Sequence, residues 1–218
     1  MYRNVSRNLN TGLLLLLLFL CRCREAQSRL PYYNTPDFTP VFISDPDRVA
    51  DSIRHRIGHF SFMDQNGCTV SDADVQGKIH IADFIFTTCG SICPVMTENL
   101  SRAGRYFEGD TSVLILSYTV TPWIDSVPRL KAYQEAKRIT NPNWHFLTGR
   151  REEIYTLARQ SYFAEEELGF TKDNKEFLHT EHILLVDQNG RIRGIYNGTL
   201  KLDIDQLIKD VLVLKGEG

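Results

Sequence analysis

Two cysteines separated by three residues, Cys89 and Cys93, are the part of this chain best suited to chemistry. A thiolate is a nucleophile towards disulfides and a soft ligand for metals such as copper. Residues 84–94 read Phe-Ile-Phe-Thr-Thr-Cys-Gly-Ser-Ile-Cys-Pro. The spacing predicts two sulfurs on one helical face, with Cα atoms roughly 6 Å apart. That separation suits a disulfide and equally two thiolates on one metal ion. One cysteine alone would read as a small buried hydrophobe. A pair at a turn into a helix, followed by Pro94, reads differently. Unpaired backbone N–H groups at a helix start carry partial positive charge and favour thiolate over thiol.

The elements that must position this pair are legible around it. Residues 79–86 form an apolar run with the length and β-branched and aromatic content of a buried strand. Val95, Met96 and Leu100 then recur at helical spacing, in a helix expected to run to about Tyr106 and stop near Gly109. Residues 113–118 read as a second buried strand. Thr121 and Pro122 mark a break, and Ser126 with Pro128 opens a helix that places Leu130, Tyr133 and Ala136 on one face. Residues 144–147 suit a short strand and 151–161 a helix. Two segments of identical sequence, Asp64-Gln65-Asn66-Gly67 and Asp187-Gln188-Asn189-Gly190, are turn signals between apolar stretches and predict two hairpins. Residues 164–177 are acidic and irregular, a surface excursion. Asp203 is expected to cap a final helix carrying Ile204, Leu207, Ile208, Val211 and Leu212 on one side. This order predicts an α/β, thioredoxin-like fold with an N-terminal β-hairpin extension and a late β-hairpin.

Composition narrows the function classes. The 218 residues carry a formal net charge of −2, with no basic run, which argues against nucleic acid as a partner. Five cysteines (Cys21, Cys23, Cys68, Cys89 and Cys93) are too few for a disulfide scaffold and contain no pair of zinc-type motifs. Arg3 and Arg7 precede a leucine stretch at 12–20 that is short for a bilayer span and reads as a secretory signal or membrane anchor. The expected organisation is a leader at 1–23, an extended Pro-rich arm at 24–54 and one domain at 55–215. Export to the cell envelope, on the periplasmic side of the membrane, is the expectation. Lipid anchoring at Cys21 or Cys23, plain cleavage and retention of the leader remain open.

With these residues in hand, the chain resembles the Sco/SenC family, copper chaperones of cytochrome c oxidase assembly, over about residues 55–214. The resemblance rests on Cys-x-x-x-Cys-Pro after an aromatic strand, matched by Cys89, Cys93 and Pro94, and on a late histidine, matched by His182 ahead of the second Asp-Gln-Asn-Gly turn. Leu147-Thr148-Gly149 with Glu152, Glu153 and Ile154 adds to it. It implies copper, as Cu(I) or Cu(II), held by Cys89, Cys93 and His182. Two thiolates and an imidazole suit copper in either state. His179 is a rival for the histidine position. The family's Asp-Pro after the second strand is here Thr121-Pro122, whereas its following acid is matched by Asp125, and Glu181 replaces the usual residue before the histidine.

The leading expectation is therefore a copper metallochaperone that delivers to the CuA subunit of cytochrome c oxidase or another copper-accepting envelope protein. The alternative is a thiol–disulfide oxidoreductase in which Cys89 and Cys93 form the redox pair, recharged by a thiol reductant. Metal binding needs His182 and thiol exchange does not. A peroxidase of the peroxiredoxin type is disfavoured, because no Pro-x-x-x-Thr-x-x-Cys pattern precedes Cys89 and the residue six before it is Asp83.

Overall fold

The computed structural model describes residues 29–164 and 180–217. The leader, Cys21, Cys23, His179 and nearly all of the acidic excursion lie outside the described residues. At the centre is β5 (Ile79–Ile85), every residue of which is buried. It runs parallel to β6 (Val113–Thr119), with Ile79 opposite Val113 and Ile85 opposite Thr119. β6 is parallel in turn to β7 (Trp144–Leu147). The crossovers carry α1 (Ile92–Tyr106) and α2 (Val127–Ala136). A strand covered on both faces reads as a continuous apolar run, which is why residues 79–85 and 113–118 show no polar alternation.

On the other flank of β5 lies β8 (His182–Val186), antiparallel, and then β9 (Ile192–Asn197). The turn between them closes on Asp187, whose carboxylate accepts the backbone N–H groups of Asn189 and Arg191, both at 2.9 Å. The identical turn at Asp64 does the same with Asn66 and Cys68, at 2.8 and 2.9 Å, and joins β3 (Ser61–Met63) to β4 (Thr69–Ser71). Gly67 and Gly190 take φ of 76° and 74°, a region open to glycine at little cost. One face of the sheet is covered by α1, α2 and the closing α4 (Lys201–Glu217), through Cys93, Met96, Leu100, Leu130, Ile204 and Leu207. The other is covered by α3 (Arg151–Gln160) and the β3–β4 hairpin, through Ile154, Tyr155, Phe60, Phe62 and Val70.

Three expectations need correction. The arm is not simply extended: β1 (Tyr32–Tyr33) pairs with Ile192 of β9, and β2 (Pro40–Val41) pairs with β1, so the arm lengthens the sheet to seven strands in the order β2-β1-β9-β8-β5-β6-β7. It then turns helical at Pro46–Arg48 and Val49–Ser52. Proline there occupies the first helical turn, where its missing N–H is no loss, and Asp45 accepts the Asp47 N–H at 3.0 Å. Asp203 is not the cap of the last helix, which starts at Lys201; its carboxylate instead accepts the Asn197 N–H at 2.8 Å. Leu212 is 44% exposed and leaves the core to Ile204, Leu207, Val211 and Leu214.

Candidate metal and thiol site

β5 ends at Ile85, and the chain reaches Cys89 through a tight turn in which the Cys89 N–H donates to the Phe86 carbonyl at 3.1 Å. Helix α1 begins at Ile92 without a side-chain cap from Ser91. The Cys89 sulfur fills that role, lying 3.5 Å from the Cys93 N–H and 3.7 Å from the Ser91 hydroxyl. Both thiols are free, yet they are unequal. Burial pushes the Cys89 thiol up, but the N–H groups of Cys93 and Ser91 turned towards its sulfur outweigh this and bring it down to about 7. Cys93 is 3% exposed, packed among the apolar side chains under α1, and burial pushes it up to about 12, the neighbouring Cys89 adding to the effect. The helix start thus favours one thiolate, the half-exposed one.

The loop before Cys89 is held from below by Asp125, which is fully buried. Its carboxylate accepts the Thr87 N–H at 3.1 Å and the hydroxyls of Thr87, Thr119 and Thr121. Arg129 lies 3.6 Å from it and also donates to the Thr87 hydroxyl at 2.7 Å. The substitution at position 121 acquires a physical meaning here. Thr121 is 3% exposed and donates to Asp125 at 3.0 Å, whereas an acid in its place would set a second carboxyl against a buried carboxylate.

His182 opens β8 and faces Asn197 across the ladder. The β5–β8 pairing places Ala82 opposite Leu184; continued, that register brings His182 level with Phe84, at the end of the sheet where the cysteine turn begins. The His182 backbone N–H donates to the Thr180 hydroxyl at 3.1 Å. Its ring Nδ1 is buried without a hydrogen-bond partner among the described residues, and its ring lies edge-on to Phe38 at 5.8 Å and 89°. Such an orphaned imidazole nitrogen fits a metal-ligating role. The three side chains are not gathered, however: among the described residues no three His, Cys, Asp or Glu groups are close enough to hold a metal ion. The fold brings Cys89 and Cys93 together, and among the described residues His182 forms no three-ligand group with them.

The sequence profile of the family described as SCO1/SenC matches residues 50–214. This chain belongs to the SCO1/SenC family. The SCO1 protein homolog of Bacillus subtilis (strain 168) is 29% identical over 209 residues, which cover 95% of each chain. Among solved structures, BsSco, described with a disulfide switch as a member of the Sco family of cytochrome c oxidase assembly proteins, is 28% identical at a TM-score of 0.61, over 73% of this chain and 93% of that one. Bradyrhizobium japonicum ScoI, solved with copper bound, is 27% identical at a TM-score of 0.57, over 72% and 98% of the two chains.

In this SCO1/SenC protein one buried group escaped the sequence reading as a site residue. Asp83 is fully buried in β5, on the face that carries α1; one carboxylate oxygen accepts from the Ser117 hydroxyl and the other has no hydrogen-bond partner among the described residues. Burial pushes its carboxyl up to about 7, partly offset by the Ser117 bond. The same negative charge helps raise Cys93, and it contributes to Tyr133, which burial pushes up to about 12. An acid inside the apolar run 79–86 was the available signal.

Proposed function

We propose that this SCO1/SenC protein is a copper metallochaperone that holds copper through Cys89, Cys93 and His182 and passes it to a copper-accepting protein of the cell envelope, the CuA site of cytochrome c oxidase. The observation that carries the reading is an unequal thiol pair at the same end of the sheet as a histidine whose ring Nδ1 has no hydrogen-bond partner among the described residues. Copper bound to Bradyrhizobium japonicum ScoI and the oxidase-assembly role given for the family of BsSco support it. Cys89 presents a thiolate near neutral pH and takes the metal first. Cys93 gives up its proton only as the metal arrives, so loading releases a proton to solvent. His182 completes two sulfurs and one nitrogen, a set suited to both copper states. Delivery proceeds by ligand exchange, a partner's donors replacing these in turn. On this reading residues 1–23 direct the protein to the periplasmic side of the membrane, with the leader cleaved, retained or replaced by lipid at Cys21 or Cys23; fractionation and the mass of the mature N-terminus test that reading.

A second reading is favoured by the same inequality. An accessible low-pKa sulfur beside a buried high-pKa one is the arrangement of an attacking and a resolving thiol. Cys89 Sγ would attack a partner disulfide, expelling one partner sulfur as thiolate. Cys93, deprotonated, would then attack Cys89 Sγ, expelling the second. Two electrons pass to the partner, and Cys89 and Cys93 are left as a disulfide that a thiol reductant must reopen.

Anaerobic copper titration of the reduced full chain separates the readings, beside His182→Ala and the double change Cys89→Ser with Cys93→Ser. One tight copper per chain, weakened by His182→Ala and abolished by the double change, is the expected result. Loose binding, or His182→Ala equal to wild type with disulfide turnover intact, would leave only the oxidoreductase.

A further inference from the structure

The arm reaches the candidate site. After β1, residues 35–39 make a turn in which the Phe38 N–H donates to the Thr35 carbonyl at 3.1 Å. Asp37 holds the turn from inside, its carboxylate accepting from the hydroxyls of Thr35 and Thr39 and from the Thr39 N–H. Phe38 takes φ of 52°, a left-handed backbone that a bulky side chain rarely adopts and that surrounding structure must enforce. What this conformation achieves is an aromatic cluster: the Phe38 ring lies 6.3 Å from Tyr33, 6.2 Å from Phe163 and 5.8 Å from His182. The strand leading into the turn is tied to the domain at two successive residues. Tyr33 pairs with Ile192, and the Asn34 side chain accepts the N–H groups of Arg54 and His55.

A ligating histidine is normally oriented by a hydrogen bond from its second ring nitrogen to a carboxylate, carbonyl or water. Among the described residues the buried His182 Nδ1 has no hydrogen-bond partner, and the ring lies edge-on to Phe38. The arm thus sets an aromatic edge against the ring, and among the described residues His182 forms no three-ligand group with Cys89 and Cys93. We propose that Phe38 is a positioning residue that parks His182 away from the cysteine pair, so that the arm turn sets how readily the third ligand joins the metal. This rests on the metallochaperone reading. A ligand held in a non-binding orientation lowers apparent affinity by the fraction of time it spends there, and removing the restraint restores that factor.

The test is competition for copper(I) against a chromophoric chelator, using the reduced full chain as wild type, Phe38→Ala, Phe38→Tyr, His182→Ala and the double variant Phe38→Ala with His182→Ala. Phe38→Ala is expected to bind about three- to tenfold more tightly than wild type. Phe38→Tyr, which keeps the ring edge, returns to the wild-type value. In the His182→Ala background the Phe38 change has no effect, because the residue it acts through is gone. Phe38→Leu, which keeps apolar volume without a ring, stands in if Phe38→Ala fails to melt cooperatively, with the same expected direction. Equal or weaker binding by the Phe38 variants, no rescue by Tyr, or an unchanged effect without His182 overturns the proposal. If His182→Ala itself binds as wild type, the copper reading fails; if only the Phe38 arm of the comparison is flat, the reading stands and the parking role falls.

Discussion

The sharpest chemistry sits in the contrast between two sulfurs one helical turn apart. Cys89 is lowered to about 7 by backbone N–H groups, and Cys93 is raised to about 12 by burial. Alkylation of the reduced, metal-free protein with iodoacetamide should therefore modify Cys89 with a rate that rises through pH ~7 and leave Cys93 intact at pH 9. Peptide mass mapping separates both from the exposed Cys68, and equal labelling of Cys89 and Cys93 would contradict the geometry. Asp83 makes a second prediction at this scale. Its carboxyl titrates near 7 in the fold, against about 4 in an unfolded chain, so the folded state holds an extra proton between those values. The resulting stability is fully present below about pH 4 and is lost as pH rises through 7, by roughly 1–4 kcal/mol. Urea denaturation of Asp83→Asn should show a flatter pH dependence than wild type from pH 4 to 8.

At the scale of elements, the turn between β5 and α1 depends on a loop that follows β6. Asp125 accepts from Thr87, Thr119 and Thr121 and faces Arg129, so one carboxylate joins the cysteine turn to the neighbouring crossover. Asp125→Ala leaves those buried donors unanswered and should destabilise the protein by about 2–4 kcal/mol in denaturant melts. With Thr87 released, the Cys89 alkylation midpoint should move upwards. Thr121→Asp tests the substituted position from the other side. A second acid set against the Asp125 carboxylate is repelled by it, so this variant should lose about 1–3 kcal/mol at pH 7 and recover much of it at pH 4, where supplying a proton to the pair costs less.

For the whole molecule, Arg193 decides whether the arm belongs to the domain. Its side chain is 3% exposed; it donates to the Leu30 and Pro31 carbonyls, pairs with Glu217 at 2.9 Å and lies over the Tyr32 ring at 4.0 Å. The same guanidinium reaches Asp187 in the β8–β9 turn at 3.4 Å. Arm, late hairpin and last helix thus meet at one buried cation. Arg193→Leu should cost about 2–4 kcal/mol, since it leaves the buried Asp187 without its cation. Limited proteolysis should then cut within residues 30–45 before the core, and an arm that stays protected in this variant would show that the strand pairing alone suffices.

Much of this protein was legible in its sequence because the signals are local. The strand at 79–85 and the helix after it show as a change of period, both Asp-Gln-Asn-Gly turns carry their own hydrogen-bond acceptor, and Pro94 after two spaced cysteines marks the helix start. What the tertiary structure alone decided are matters of long-range partnership. No spacing reveals that Cys93 is buried while Cys89 is not, that Asp125 bonds Thr87 across the crossover, or that Phe38 meets His182 across a long stretch of chain. The prolines of the arm spoke against helix and said nothing of β9, because pairing is set by the strand that accepts it. Local pattern determines which elements form, and packing determines which side chains share an environment, hence which thiol ionises and which ring meets the His182 imidazole.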